Sequence, residues 1–325
     1  MTVFDEVAAE GHEQVLFGYD KVSGLKAIIA IHSTALGPAL GGTRFFPYES
    51  EHDALVDVLR LSQGMSYKAA AAGLDLGGGK AVIIGDPRED KSERLLRAYG
   101  RIVDSLQGRY ITAEDVGTTT HDLDIVRRET RWALGNSVAE GGAGDPSPIT
   151  ARGLFAAARA IAEFVFGNSE LEGRTFAVQG VGKVGSAFVQ LLIEARANVV
   201  IADAYQPTLE AAVAKFGVDT VPIDEVHTLE CDFFSPCALG AVLNEETIPQ
   251  LNCKAIVGSA NNQLATDKDA ERLHERGIVY GPDFVVNAGG LINVYDELHG
   301  YSKVRALHRV DGRYDATMRL LGTAR

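Results

Sequence analysis

The sequence predicts an α/β protein of two domains, the second a doubly wound parallel sheet. Three observations carry that expectation. The 325 residues exceed what one hydrophobic core comfortably organises. Gly141 to Pro148 (GGAGDPSP) concentrates chain-breaking residues near the middle of the chain. Beyond it, short β-branched apolar runs alternate with segments of helical periodicity, the βαβα rhythm that builds a parallel sheet.

Taken in order, Leu25 to His32 (LKAIIAIH) reads as a strand, and Asp53 to Ala72 as a helix with Leu55, Val58, Leu59, Ser62 and Met65 on one side. Ala81 to Ile84 reads as a buried strand. Ser92 to Leu106 is a helix presenting Leu95, Leu96, Tyr99, Ile102 and Val103, and Arg109 to Thr112 a short strand. After the breaker stretch come a helix at Ile149 to Phe166, a strand at Thr175 to Gln179, a helix at Val184 to Ala195 and a strand at Val199 to Ala202. Leu209 to Phe216 is a helix, Cys231 to Phe234 and Ala255 to Val257 are strands, and Ala306 to Leu321 is a single closing helix.

The net charge of -13 repels phosphate backbones, so nucleic acid is not an expected partner, nor is an anionic membrane surface. No apolar run has the length of a bilayer span. The acidic N-terminus, MTVFDEVAAEGHEQ, lacks the basic and apolar pattern of a secretion signal, and the expected location is cytoplasmic. The three cysteines, Cys231, Cys237 and Cys253, form no CxxC pair and read as reduced thiols. The eight histidines have no metal-ligand spacing, and no metal is expected.

The first chemical motif follows the Thr175–Gln179 strand directly: Gly180-Val-Gly182-Lys-Val-Gly185, opening an apolar helix. In this strand–turn–helix setting the GxGxxG pattern is a dinucleotide fingerprint. One glycine makes the turn, one admits the pyrophosphate, and one lets helix and strand pack closely. The helix N-terminus then offers free N–H groups to the phosphates. Asp203 ends the next strand at about the ~20-residue distance of the acid that binds adenosine ribose hydroxyls. A carboxylate there repels a 2′-phosphate and favours NAD over NADP. Alternatively, Asp203 only starts a turn. The expected organisation is therefore an N-terminal α/β substrate-binding and catalytic domain over residues 1–140, and a doubly wound Rossmann-type NAD-binding domain over 141–325 with a C-terminal connecting helix.

The first domain holds four unusual segments: Leu36-Gly-Pro-Ala-Leu-Gly-Gly-Thr-Arg44, Gly64-Met-Ser-Tyr-Lys68, Gly77-Gly-Gly-Lys80 and Thr112-Ala-Glu-Asp-Val-Gly117. Lys80 follows three glycines and precedes an apolar strand. A lysine held there is a candidate general base, because burial and a neighbouring cation favour a neutral amine; the alternative is a solvated lysine at a turn. Lys68 by itself reads more readily as a helix-end lysine facing water, and Asp115 has the alternative of being only a helix N-cap for the segment after Val116.

These segments, with Pro236-Cys-Ala-Leu-Gly240, Gly258-Ser-Ala-Asn-Asn262 and Asn287-Ala-Gly-Gly290, resemble the glutamate/leucine/phenylalanine/valine dehydrogenase family over essentially the whole chain and in the same order. The phrase His32-Ser-Thr-Ala-Leu-Gly-Pro-Ala-Leu-Gly-Gly-Thr-Arg44 is most similar to the valine and leucine members. The resemblance implies an enzyme that oxidatively deaminates an L-amino acid to a 2-oxo acid and ammonia with NAD. It implies that Lys68 binds the α-carboxylate, that Gly41 and Gly42 shape the site beside it, that Lys80 activates water, and that Asp115 shuttles protons to and from nitrogen. It further implies that Asn262 holds substrate and nicotinamide, and that Thr150 contacts the carboxamide. Val181, Lys183 and Val184 between the glycines, with Cys237, Ala238, Ala260 and Asn261, complete the implied cofactor set. A cleft whose closure excludes water and a homo-oligomeric assembly, with the Leu25–His32 strand at an interface, are implied in the same way. Family members usually continue a few dozen residues beyond the position of Arg325.

Leu40, Ala113, Leu291 and Val294 match the side-chain pocket positions of the leucine enzymes. Glutamate enzymes carry a lysine where Leu40 stands, and an apolar residue leaves a buried second carboxylate unpaired. The expected substrates are therefore valine, leucine and isoleucine. Leu291, where leucine enzymes commonly carry valine, keeps an aromatic substrate such as phenylalanine as the alternative, since a methylene in an apolar pocket discriminates by only ~1–3 kcal/mol. From other classes, a non-catalytic NAD-binding sensor would be favoured by loss of a catalytic lysine, but Lys68, Lys80 and Asp115 are all present, and a structural protein would have no need of a complete nucleotide motif.

Overall fold

The computed structural model describes residues 3–9, 11–135, 137, 142–238 and 240–323. Gly141 of the expected boundary and Leu239 of the 236–240 motif lie outside them. The chain divides into two units, Met1–Asp145 with Asn293–Lys303, and Pro146–Ile292 with Val304–Arg325.

In the first unit the apolar runs form β1 (Gln14–Asp20), β2 (Leu25–Ser33), β3 (Ala39–Phe46), β4 (Gly77–Ile84) and β5 (Tyr110–Glu114), in the order β1-β2-β4-β3-β5. The β1/β2 and β2/β4 pairs are antiparallel, while β3 runs parallel to both β4 and β5. The helices are α1 (Val3–Ala9), α2 (Glu51–Ala72), α3 (Glu93–Ser105) and α4 (Thr120–Arg127). Ser50 caps α2 by accepting from the Asp53 N–H, and a Thr119–Asp122 capping box opens α4. The apolar stripe of α2, Ala54, Leu55, Val58 and Leu59, covers Ile28, Ala30 and Val82 on one face of the sheet. Leu95, Leu96, Tyr99 and Val103 of α3 cover the other with Leu123 and Val126 of α4.

Two expectations change here. The glycine run 77–79 is part of β4 rather than a turn before it. Its glycines serve close approach: a Cβ on Gly77 would lie 1.9 Å from the Ser33 carbonyl oxygen, and one on Gly78 2.2 Å from Ser66 Oγ. The Leu25–His32 run is an interior strand, paired on both sides, and β1 is the edge.

The second unit opens with α5 (Ser147–Phe166). There follow β6 (Thr175–Gln179), α6 (Lys183–Glu194), β7 (Asn198–Ala202), α7 (Gln206–Phe216), β8 (Asp219–Thr220), β9 (Cys231–Pro236), β10 (Cys253–Ile256), α8 (Lys268–Glu275) and β11 (Val279–Tyr280). All strand pairs are parallel, in the order β11-β10-β9-β6-β7-β8. This is the dinucleotide-fold order, reversing direction between β6 and β9, where ligands of such sheets bind. Phe176 and Phe233 stack at 4.5 Å in its core.

The chain closes with α9 (Asp283–Val286), α10 (Gly289–Glu297), α11 (Lys303–Asp311) and α12 (Arg313–Thr323). The single closing helix expected at 306–321 is two helices, broken at Gly312, a residue that costs about 1 kcal/mol in a helix interior. The return of Asn293–Lys303 to the first unit differs from a simple division near residue 140. Its anchor is Glu297, whose carboxylate accepts from the Gly135 N–H at 3.0 Å and the Ala143 N–H at 2.7 Å. No local pattern in the sequence announces bonds over such separations.

Close packing of β3 on β4 yields a stability prediction. A methyl on Gly41 would fall 1.7 Å from the Gly79 carbonyl oxygen, whereas one on Gly64 of α2 meets nothing within 4 Å. Gly41→Ala should lose about 1–3 kcal/mol or more in urea unfolding. Gly64→Ala should gain up to about 1 kcal/mol. A Gly41→Ala protein as stable as the wild type would contradict this packing.

Candidate active site and dinucleotide site

Side chains alternate across a strand, so Leu40, Gly42 and Arg44 of β3 point to the face that α2 covers. Arg44 pairs in register with Val82 and Gly42 with Ala113, which places Lys80 and Ala113 on that same face. Asp115 follows the end of β5. A Cβ on Gly42 would lie 2.4 Å from the Glu114 carbonyl oxygen and 2.8 Å from Asp115 Cβ, so only glycine lets this segment fold against β3. Thr118 holds the segment in place. Its hydroxyl accepts from the Asp115 N–H and donates to the Thr43 carbonyl, each at 2.9 Å.

The result is a buried ion pair. Lys80, 7% exposed, brings Nζ to 2.5 Å from Asp115 Oδ2. Arg44 Nε lies 3.5 Å from the same oxygen, and its Nη1 is 2.9 Å from Asp57 Oδ2 of α2, which also accepts from the Tyr48 hydroxyl at 2.5 Å. Burial alone would raise the Asp115 pKa; the Lys80 ammonium and the Arg44 guanidinium outweigh it and hold the carboxyl below its ordinary value. Neither bland alternative survives: Lys80 is not solvated, and Thr119 rather than Asp115 caps α4.

Behind β3 and β5 lies a buried hydroxyl cluster. Thr43 Oγ1 is 2.5 Å from Tyr99 OH and 2.6 Å from Thr112 Oγ1, and Tyr110 OH donates to the Gly41 carbonyl at 2.7 Å. Burial pushes both tyrosines up, so they remain neutral donors. Lys68 lies half-buried in the last turns of α2. Ser66, two residues before it, abuts Gly78, two residues before Lys80.

In the second unit the fingerprint glycines divide their work as the motif requires. Gly180 adopts φ +98°, and a Cβ on it would collide with Ala238. Gly185 would place one 2.1 Å from the Gly180 carbonyl oxygen. Around Gly182 there is nothing within 4 Å, so the turn leaves open space where a pyrophosphate approaches. Gly182 is also the N-cap of α6, which has no side-chain cap, leaving the first N–H groups of Lys183, Val184 and their neighbours for an anion. Asp203 Oδ2 accepts from the Val181 N–H and Oδ1 from the Tyr205 N–H, each at 2.8 Å. Asp203 therefore both makes a turn and braces the glycine loop, while each oxygen keeps a lone pair for a ribose hydroxyl. These features fit a dinucleotide.

Cys237 and Ala238 follow β9 beside this turn, with the Cys237 N–H donating to Gln179 at 2.7 Å. Ala260 donates to the Pro236 carbonyl, and Asn287 Nδ2 bonds Asn261 Oδ1 at 2.9 Å. Asn262 sits in left-handed backbone at φ +51°, its N–H on the Asp283 carboxylate. Thr150, in the first turn of α5, donates to the Pro146 carbonyl at 2.9 Å and lies against Gly289 and Gly290. Leu291 and Val294 are one turn apart on α10. Among the described residues no group of His, Cys, Asp and Glu is placed to hold a metal ion, and no helix is long and apolar enough to cross a membrane.

The Glu/Leu/Phe/Val dehydrogenase dimerisation domain matches residues 12–132, and the Glutamate/Leucine/Phenylalanine/Valine dehydrogenase domain matches 141–206 and 203–319. The chain belongs to this family. Within it, the chain is 52% identical over 321 residues to a leucine dehydrogenase of Bacillus cereus, covering 99% of this chain and 88% of that one. It is 51% identical over 318 residues to a valine dehydrogenase of Streptomyces virginiae, covering 97% and 89%. Among solved structures, L-tryptophan dehydrogenase from Nostoc punctiforme superposes with TM-score 0.85 at 44% identity, over 99% of this chain and 92% of that one. Family membership gives a context to residues that sequence reasoning passed over. Arg44 stood in a quoted segment without a role, although strand alternation places it with Gly42. Asp57, Thr118 and the Thr43–Tyr99–Thr112 cluster meet only through the fold.

The depressed Asp115 pKa has a sign that can be measured. A carboxyl whose folded pKa is lowered contributes stability above its ordinary value and loses it as pH falls through the folded value. Asp115→Asn should cost about 3–5 kcal/mol at neutral pH by leaving Lys80 unpaired. The gap from wild type should close below pH about 4. Urea unfolding over a pH series reads both; a gap constant into acid would contradict the pairing.

Proposed function

We propose that this protein catalyses the reversible, NAD-dependent oxidative deamination of branched-chain aliphatic L-amino acids to 2-oxo acids and ammonia. The observation that carries the reading is the buried Lys80–Asp115 contact on a sheet face that also bears apolar Leu40 and Ala113. Relatives named leucine and valine dehydrogenase at about half identity over nearly the whole chain support the same substrate class.

NAD, when bound at the glycine turn, supplies the hydride acceptor. The chain's own residues do the rest. Lys68 holds the substrate carboxylate, with Gly41 and Gly42 keeping the neighbouring surface free of side chains. Asp115 takes a proton from the substrate ammonium before Cα is oxidised. Lys80, as the free amine, takes a proton from the water that adds to the imino carbon; Asp115 returns its proton to nitrogen, and the carbinolamine hydroxyl gives its proton to the Asp115 carboxylate as the C–N bond breaks. Because the two groups lie 2.5 Å apart, a proton passes between them without rearrangement. Thr150 and Asn262 are the groups assigned to the nicotinamide end, and Asp203 to the adenosine ribose. Leu40 and Ala113 offer the side chain an apolar surface, which a glutamate carboxylate would meet unpaired; the family resemblance assigns Leu291 and Val294 to the same side chain. A homo-oligomer in the cytoplasm is part of the proposal; the dimerisation-domain match supports the assembly.

A second reading, an aromatic substrate, is favoured by the likeness to L-tryptophan dehydrogenase. NADH formation with L-Val, L-Leu, L-Ile, L-Phe, L-Trp and L-Glu separates the two. Aliphatic substrates should lead, glutamate should be inert, and Lys80→Ala should lower kcat by about 10²–10⁴-fold. Aromatic preference would move the substrate class and keep the chemistry. NAD binding without turnover of any amino acid would support a sensor instead.

A further inference from the structure

The first unit carries a row of alternating charges: Asp57, Arg44, Asp115 and Lys80, joined by contacts of 2.9, 3.5 and 2.5 Å. Lys80 and Asp115 are assigned catalytic steps above; Arg44 and Asp57 are not. Arg44 is largely buried, its side chain 24% exposed, and Asp57, fixed by the Tyr48 hydroxyl, anchors it. We propose that Arg44 is a positioning residue, the permanent counter-ion that keeps Asp115 ionised and in place beside a neutral Lys80 until Asp115 takes the proton of the substrate ammonium.

This role depends on Lys80 being the base proposed above. A base must lose its proton to act. Before the substrate ammonium gives up its proton, Asp115 beside a neutral Lys80 would be a buried carboxylate without a protein cation, a costly state that the group escapes by taking up a proton from water. A protonated Asp115 cannot accept a proton from the substrate. A guanidinium does not deprotonate in proteins, so Arg44 pairs with Asp115 whichever state Lys80 is in. The groups around Asp115 are Lys80 from β4, Arg44 from β3 and, through Arg44, Asp57 of α2 and Tyr48. Glu114 beside it turns to the Thr120 hydroxyl at 3.0 Å, and α2 carries Lys68 further along. Arg44 is thus the cation at Asp115 that the proposed chemistry never neutralises.

The test compares Arg44→Gln with Arg44→Lys, measuring kcat and KM for L-valine against pH. Arg44→Gln should move the acid limb of kcat/KM to higher pH and lower kcat near neutrality on the order of tenfold, part of the 10²–10⁴ that acid–base groups supply. KM should change little, and the loss should shrink as pH rises. Arg44→Lys, which retains a cation, should keep the acid limb near the wild-type position. Equal losses at every pH, or an Arg44→Lys protein as impaired as Arg44→Gln, would overturn the proposal. If Arg44→Gln does not fold, Asp57→Asn and Tyr48→Phe, which loosen Arg44, should shift the limb in the same direction by less; no shift in either overturns it. The Asp115 carboxyl is also to be titrated directly by carbon NMR in wild type and Arg44→Gln. A higher titration in the variant supports the inference and an unchanged one overturns it. That readout stands even if the wild type turns over no amino acid, in which case only the functional reading fails.

Discussion

Two charges buried side by side, Lys80 and Asp115, set the terms for the first unit. An ion pair out of water costs free energy unless its geometry is tight and its remaining partners are supplied. Tight geometry here comes from backbone. β3 approaches β4 so closely that Gly41 has no room for a methyl group, Gly77 to Gly79 are hemmed in by Ser33, Ser66 and Tyr110, and Gly42 alone admits the turn that carries Asp115. The hydroxyl cluster behind β3, the Thr118 bridge and the Arg44–Asp57 pair then hold the pieces in register. What looks in sequence like loop chemistry is a packing solution for placing a lysine against a carboxylate.

The second unit solves a different problem with the same residue. Its glycine turn leaves an open space at Gly182 and a dense contact at Gly185, three residues apart. Asp203 braces the loop through the Val181 N–H while retaining acceptor capacity. Substituting Asp203 would therefore disturb the glycine turn itself.

Much of this was legible in the sequence, for identifiable reasons. The strand Thr175–Gln179, its glycine turn and the helix after it are specified by residues adjacent in the chain, and local periodicity suffices for them. Asp203 at the end of the next strand follows from the same unit. What local pattern could not supply depends on distant partners. The strand character of Gly77–Gly79 is imposed by Ser33, Ser66 and Tyr110, against which those glycines pack. The return of Asn293–Lys303 to the first unit rests on Glu297 meeting Gly135 and Ala143. Arg44 becomes meaningful only once Asp57 and Asp115, far away in the chain, are brought to it. Resemblance to the dehydrogenase family named Lys80 and Asp115; the fold supplies the reason they meet.

The central claim is that Lys80 and Asp115 work as one unit, and a double-mutant cycle tests it most directly. Rates of L-valine oxidation are to be measured for wild type, Lys80→Met, Asp115→Asn and the double variant. Groups acting together lose nearly everything at the first substitution, so the double variant should be about as slow as the worse single one. Losses that multiply, adding in free energy within ~0.5 kcal/mol as independent sites do, would contradict the account.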